Sequence, residues 1–183
     1  MMRRDDPSIL LAAGDAGMTL LELLLVVAII LIIAAVATPR LLRARTTANE
    51  TAAIGIMRAI STAEDLYSKA CASGGGFAID LTTLGVPPPG TNAPFLSPAM
   101  TISATPQQDG YTFALAAGQN AVIGAPDCNG TPAASTFYAT ATPLTLGTSG
   151  TRAFAINPSH TIWQLVGQNP PTEPFANPST PVQ

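Results

Sequence analysis

The sequence predicts an α+β protein: one long N-terminal α-helix, hydrophobic over its first half and amphipathic over its second, packed on a small antiparallel β-sheet head. Three observations carry this reading. The run from Met18 to Ala37 is apolar but for Thr19 and a single ionisable side chain, Glu22. From there to about Cys71, apolar and small residues recur at helical spacing. Beyond Phe77 the pattern breaks into short β-type runs separated by proline and glycine.

Composition narrows the class. The chain has 183 residues, of which 47% are hydrophobic and only 10% charged, against about 25% charged in an ordinary soluble domain. Much of the apolar content lies between Met18 and Ala37, so what remains suits one modest globular domain. The net charge is -3. Beyond Met18 the basic residues are Arg40, Arg43, Arg45, Arg58, Lys69 and Arg152, so the region after Phe77 holds a single positive charge. A nucleic-acid surface needs a basic patch to collect phosphates, and the head has none.

Residues 1–17 carry Arg3, Arg4, Asp5 and Asp6, then a short apolar stretch ending in Gly17. A conventional secretory signal places its small-residue cleavage site after its long apolar run, whereas here a glycine precedes that run. A cut after Gly17 leaves the apolar segment on the mature chain.

Met18 to Ala37 is about 20 residues, long enough as a helix to cross a bilayer core of about 30 Å. Glu22 inside such a span costs a few kcal/mol and marks a function or a partner; the blander reading is a carboxylate near the span's end reaching the interface. Arg3 and Arg4 lie before the span and Arg40, Arg43 and Arg45 after it, so a positive-inside count favours an internal head.

Pro39 follows, and proline removes a helical hydrogen bond and clashes with the preceding turn, which predicts an interruption there. Ile56, Ile60, Ala63, Tyr67 and Ala70 then recur in steps of four and three, with Arg58, Thr62, Asp65 and Lys69 on another face. Asp65 and Lys69 form an i,i+4 pair in the favourable order. Gly74-Gly75-Gly76 stops the helix.

Residues 74–98, with Pro87-Pro88-Pro89-Gly90, read as a surface connection. Strands are expected at Met100–Ala104, Tyr111–Ala116, Thr136–Thr142, Arg152–Ile156 and His160–Val166, with a turn at Asn157-Pro158-Ser159. Residues 169–183 contain five prolines and read as an irregular or mobile tail. Cys71 and Cys128 are expected to be bridged if the head lies outside the cytoplasm, the alternative being two buried thiols. Such a bridge closes a loop of roughly 60 residues, worth on the order of 4 kcal/mol in the chain-entropy model.

Enzymatic constellations are missing from the sequence. His160 is the sole histidine, in a structural position, and no metal-protease, dinucleotide, P-loop or serine-hydrolase motif occurs. Two cysteines and one histidine make no metal cage. Asp80, Asp109, Asp127 and Glu173 are scattered, offering neither an acid-base pair nor a calcium loop. The expectation is a non-enzyme without cofactor or metal.

The residues Gly17-Met18-Thr19-Leu20-Leu21-Glu22 resemble the type IV prepilin cleavage motif, and the likeness runs on to Pro39. Counting Met18 as first, Glu22 is fifth and Pro39 twenty-second, where that family characteristically has a glutamate and a proline. Two departures stand out: Met18 replaces the usual phenylalanine, and Leu31 replaces a frequent glycine, which makes melting of the helix before Pro39 less expected.

The resemblance implies a type IV pilin-like fold: leader 1–17, filament-core helix 18–39, amphipathic helix 40–73, αβ-loop 74–98, sheet 99–168 and tail 169–183. It implies cleavage after Gly17 by a prepilin peptidase and N-methylation of Met18. It further implies an inner-membrane subunit with a periplasmic head, drawn by an assembly platform and ATPase into a homo-oligomeric extracellular filament serving adhesion, motility or DNA uptake. Glu22 of one subunit would pair with the Met18 amine of its neighbour. A type II secretion pseudopilin is the nearest alternative, although the thin acidity of the head disfavours the calcium-binding major form. A monomeric periplasmic binding protein tethered by an uncleaved helix is the more distant one.

Overall fold

The computed structural model describes residues 17–72 and 75–182. Residues 1–16 of the expected leader 1–17, the 73/74 boundary between amphipathic helix and loop, and residue 183 at the end of the tail lie outside the described residues. The chain divides into two compact units, Met1–Arg40 and Leu41–Gln183.

Helix α1 spans Leu20–Ala70. The expected interruption at Pro39 does not occur: the helix runs through it. A proline there deprives only the Ala35 carbonyl of its amide donor, a loss that one otherwise regular helix absorbs. The Thr38 hydroxyl donates to the neighbouring Ala34 carbonyl at 2.8 Å.

In the second unit the buried face of α1 is Glu50, Ala53, Met57, Ile60, Ser61, Ala63, Glu64 and Tyr67. The stripe differs from expectation at its ends: Met57 is buried where Ile56 was expected, and Cys71 where Ala70 was. Asp65 turns toward His160 Nε2, 3.6 Å away, and among the described ion pairs it makes none with Lys69. The helix ends before the glycine triplet, the Cys71 and Ala72 amides both returning to the Tyr67 carbonyl.

The connection that follows holds a single 3-10 turn, Thr83–Gly85. Helix α2, Pro98–Thr101, stands where a strand at Met100–Ala104 was expected; Ser97 followed by Pro98 is a helix-start pattern. The strands are β1 (Gln107–Gln108), β2 (Tyr111–Ala117), β3 (Ile123–Pro126), β4 (Pro132–Ala134), β5 (Phe137–Pro143), β6 (Arg152–Ile156), β7 (Trp163–Val166) and β8 (Thr180–Pro181). Six form an antiparallel sheet in the order β1-β2-β5-β6-β7-β8, while β3 and β4 pair separately. The protein is therefore α+β.

Register explains the core. Phe113 pairs with Ala141, which pairs with Phe154; Leu115 pairs with Ala139, which pairs with Ile156. In each row a small alanine sits between two large side chains. The large flanks and α1's Met57, Ile60 and Tyr67 join in one hydrophobic cluster. Interlocking of large and small positions gives native packing density without voids.

The C-terminal segment is not a loose tail. Phe175 stacks on Trp163, with ring centroids 5.4 Å apart, and Val182 N donates to the Ile162 carbonyl. Glu173 accepts from Gln119 N at 2.7 Å and from Asn157 Nδ2 at 2.6 Å. Proline keeps this segment irregular; side-chain anchoring, which proline does not prevent, fixes it.

Candidate membrane and assembly segment

The first unit presents the motif of the candidate site in a simple geometry. Gly17, Met18 and Thr19 are non-helical and exposed, and α1 begins at Leu20. Thr19 is the N-cap: its Oγ1 accepts from Glu22 N at 3.2 Å, and its carbonyl takes the Leu23 amide at 3.1 Å. Four amides at a helix start lack internal partners, so this cap satisfies one of them. Glu22 is the third helical residue, and Thr19-x-x-Glu22 is the capping-box pattern. Its carboxylate also lies where the helix dipole favours negative charge. The sequence presents Glu22 as a charge in a span that marks a partner or reaches the interface; its place in a helix cap is signalled by the threonine three residues earlier.

From Leu20 to Val36 every large apolar side chain is exposed, from 44% at Val26 to 80% at Leu20. The exposure runs around the whole circumference, a surface compatible with membrane anchoring. The window is long and apolar enough to cross a membrane, and none of it is buried within the chain.

Gly17, Met18 and Glu22 thus lie within two turns of one another, and Pro39 is embedded further along the same helix. Cys71 and Cys128 belong to the second unit, where they form a disulfide with Cα atoms 4.8 Å apart. The Cys128 amide also donates to the Cys71 carbonyl at 2.9 Å. Beside them Asp127 is clamped in a tight turn, Oδ1 accepting from Asn129 N and Thr131 N and Oδ2 from the Tyr67 hydroxyl at 2.8 Å.

Among the described residues, Ser61, His160 and Asp65 form a grouping with a hydrolase-like composition. Ser61 Oγ lies 2.8 Å from His160 Nδ1, while Asp65 stands 3.6 Å from Nε2, beyond hydrogen-bond reach. Ser61 is buried on the helix face that packs against the head, so its hydroxyl is spent on the turn it anchors. Among the described residues no three His, Cys, Asp or Glu side chains converge as metal ligands.

No family model matches the chain, and no curated protein or solved structure matches it either.

Proposed function

We propose that this protein is a type IV pilin-like filament subunit, processed after Gly17, methylated at Met18 and held in the inner membrane by Leu20–Ala37 until assembly. The observation that carries the reading is the junction itself: a glycine, an exposed Met18 and a capped helix whose apolar surface is entirely unpartnered. A cut after Gly17 would create an ammonium at Met18 only one turn from the Glu22 backbone, the arrangement a charge pair between staggered neighbours requires. Such a pair in a low-dielectric core adds little net energy when intact but costs a few kcal/mol when one partner is lost, so it acts as a register device. Apolar helices leaving lipid for one another gain by packing rather than by escape from water. The partners on this reading are further copies of the chain, a prepilin peptidase, and an assembly platform with its ATPase.

Mass spectrometry of the N-terminus in sheared extracellular material and in washed membranes tests it. Methylated Met18 abundant in the sheared fraction is the expected result. Processed Met18 confined to membranes points instead to a secretion pseudopilin, and an intact leader in functional protein overturns processing.

The Thr19 cap favours a second reading, a membrane-tethered monomer in which Glu22 only starts the helix. Glu22→Gln separates the two, because glutamine serves a capping box as glutamate does but carries no charge. Loss of filaments in that variant supports the pair; normal filaments would remove the charge from the mechanism, and no filaments in the wild type would leave the tether.

A further inference from the structure

Glu64 is the least expected residue of the head. It lies on the inward face of α1, between Ile60 and Tyr67, with its side chain fully buried. One oxygen, Oε2, accepts from the Ala78 amide at 2.9 Å. The other, Oε1, is buried without a partner. An ionised carboxylate so placed would be missing most of the hydrogen bonds that compensate burial.

Among the described residues no positive charge offsets its burial. Asp65 is the next residue on α1 and raises it further. Tyr67 follows one turn later, its hydroxyl donating to Asp127 of the disulfide loop, and Asp127 and Asp80 add negative charge on that side. Asp80, in the connecting segment, is itself held below the usual carboxylate range, the hydrogen bonds from Thr82 and Thr83 outweighing its burial.

What Glu64 fastens is also defined. Ala78 adjoins Phe77, which exchanges both backbone hydrogen bonds with Ala134 of β4, at 2.8 and 2.9 Å. Ala78 and Leu81 are fully buried beside it in the core. The carboxyl therefore joins α1 to the start of the connecting segment, just past the disulfide.

We propose that Glu64 is a proton-dependent latch: the connecting segment closes over it as the neutral acid, and ionisation, which the buried Oε1 has no partner to stabilise, opens that segment to water even though the Ala78 amide by itself favours the carboxylate. Burial, followed by Asp65, pushes the Glu64 carboxyl up to about 8 against the Ala78 hydrogen bond, so the latch is closed at neutral and acidic pH. In the unfolded chain the group titrates near 4.5. Its contribution is fully present below that value and is lost as pH rises toward 8, because only the folded state keeps the proton across this window. The inference concerns the head alone and stands whether or not the chain assembles.

The test uses the full chain in detergent micelles with the disulfide intact. The Glu64 side-chain carboxyl carbon, followed by NMR, is expected to titrate well above the ordinary carboxylate range, and the Ala78 amide to lose exchange protection beyond its intrinsic pH dependence as it does. The unfolding constant is expected to rise about tenfold per pH unit from about pH 5 to 8, less whatever other groups contribute. Glu64→Gln should remove that rise. A Glu64 carbon titrating near 4.5, or an unchanged slope in a folded Glu64→Gln variant, overturns the latch; if that variant does not fold, the carbon titration decides alone.

Discussion

Glu50 of α1 and Arg152 of β6 lie 102 positions apart in the chain and meet through two donors, Arg152 Nε at 3.0 Å and Nη2 at 2.5 Å from Glu50 Oε2. The other oxygen accepts from the Thr151 amide at 2.8 Å and its hydroxyl at 2.7 Å. This buried carboxylate is thus fully satisfied, in contrast to Glu64, about four turns further along α1, with one orphan oxygen. The pair sets where the helix sits along the sheet, and Thr46 and Asn49 reinforce it by bonding to the Thr148 and Ser149 carbonyls.

Arg152→Ala is accordingly expected to destabilise the head by about 2 kcal/mol, because it leaves Glu50 buried and short of two donors. The figure lies below the 3–5 kcal/mol of a wholly buried pair since Arg152 keeps 34% of its side chain in solvent. Urea denaturation measures it; a change under 0.5 kcal/mol would mean that Thr151 alone satisfies the carboxylate.

The acid limb of stability should belong to Glu50 and Asp80. Burial alone would raise both, but hydrogen bonds from Arg152 and Thr151, and from Thr82 and Thr83, bring each below its usual value. A depressed folded value gives stability that is present above the unfolded value and lost as pH falls through the folded one. Glu50→Gln should therefore be costly at pH 6 and progressively less so below about pH 4. With Glu64 acting in the opposite direction on the alkaline side, the stability maximum of the wild type is expected in mildly acidic solution. A plateau reaching unchanged to pH 9 would contradict this.

Reducing the disulfide should cost about 4 kcal/mol in the chain-entropy account, since Cys71 and Cys128 are separated by 57 positions. Cys71→Ser with Cys128→Ser is the cleaner comparison, read as a lower urea midpoint. The end of α1 and the Asp127 turn should lose amide protection first, as the bridge joins those two segments. Loss spread evenly over the sheet would show instead a global role.

What the sequence reveals of this fold follows the range of the interactions. The candidate site, Gly17 to Pro39, is contiguous, and its signals are local; even the overlooked Thr19 cap is written three residues before Glu22. Helix α1 and the strands β2 and β5 announce themselves by periodicity, because each buries one face, while β6, buried on both, reads as a short apolar run. The hairpin turn at Asp109-Gly110, with φ of 48° and 76°, is absent from the sequence expectations, although this dipeptide adopts positive φ readily. By contrast β3 is exposed throughout and its pairing joins Pro126 to Pro132, leaving no alternation to read. Glu64 could be placed on the inward face by spacing alone, yet nothing local says that a carboxyl there stays buried. The contacts of Glu173 with Gln119 and Asn157 are set by tertiary structure and have no sequence signature.

That C-terminal segment supplies the last prediction. Trp163 is the sole tryptophan, and Phe175 stacks on it while Tyr138, whose ring centroid is 6.3 Å from that of Phe175, donates through its hydroxyl to the Pro171 carbonyl. The outward face beneath includes Ala153 and Ala155, which are fully buried although they point away from Phe154 and Ile156. A chain ending at Gln168 should therefore uncover an apolar strip, lose the β7-β8 pairing and shift Trp163 fluorescence to longer wavelength. Phe175→Ala should reproduce most of the shift with the segment still present, at about 1–2 kcal/mol of stability for a half-buried aromatic contact. Glu173→Ala should loosen the segment at its other anchor and leave the Trp163–Phe175 stack largely in place. If Phe175→Ala leaves the emission unchanged, the stack is not what shields Trp163, and the segment's hold on the sheet rests on β8 and Glu173.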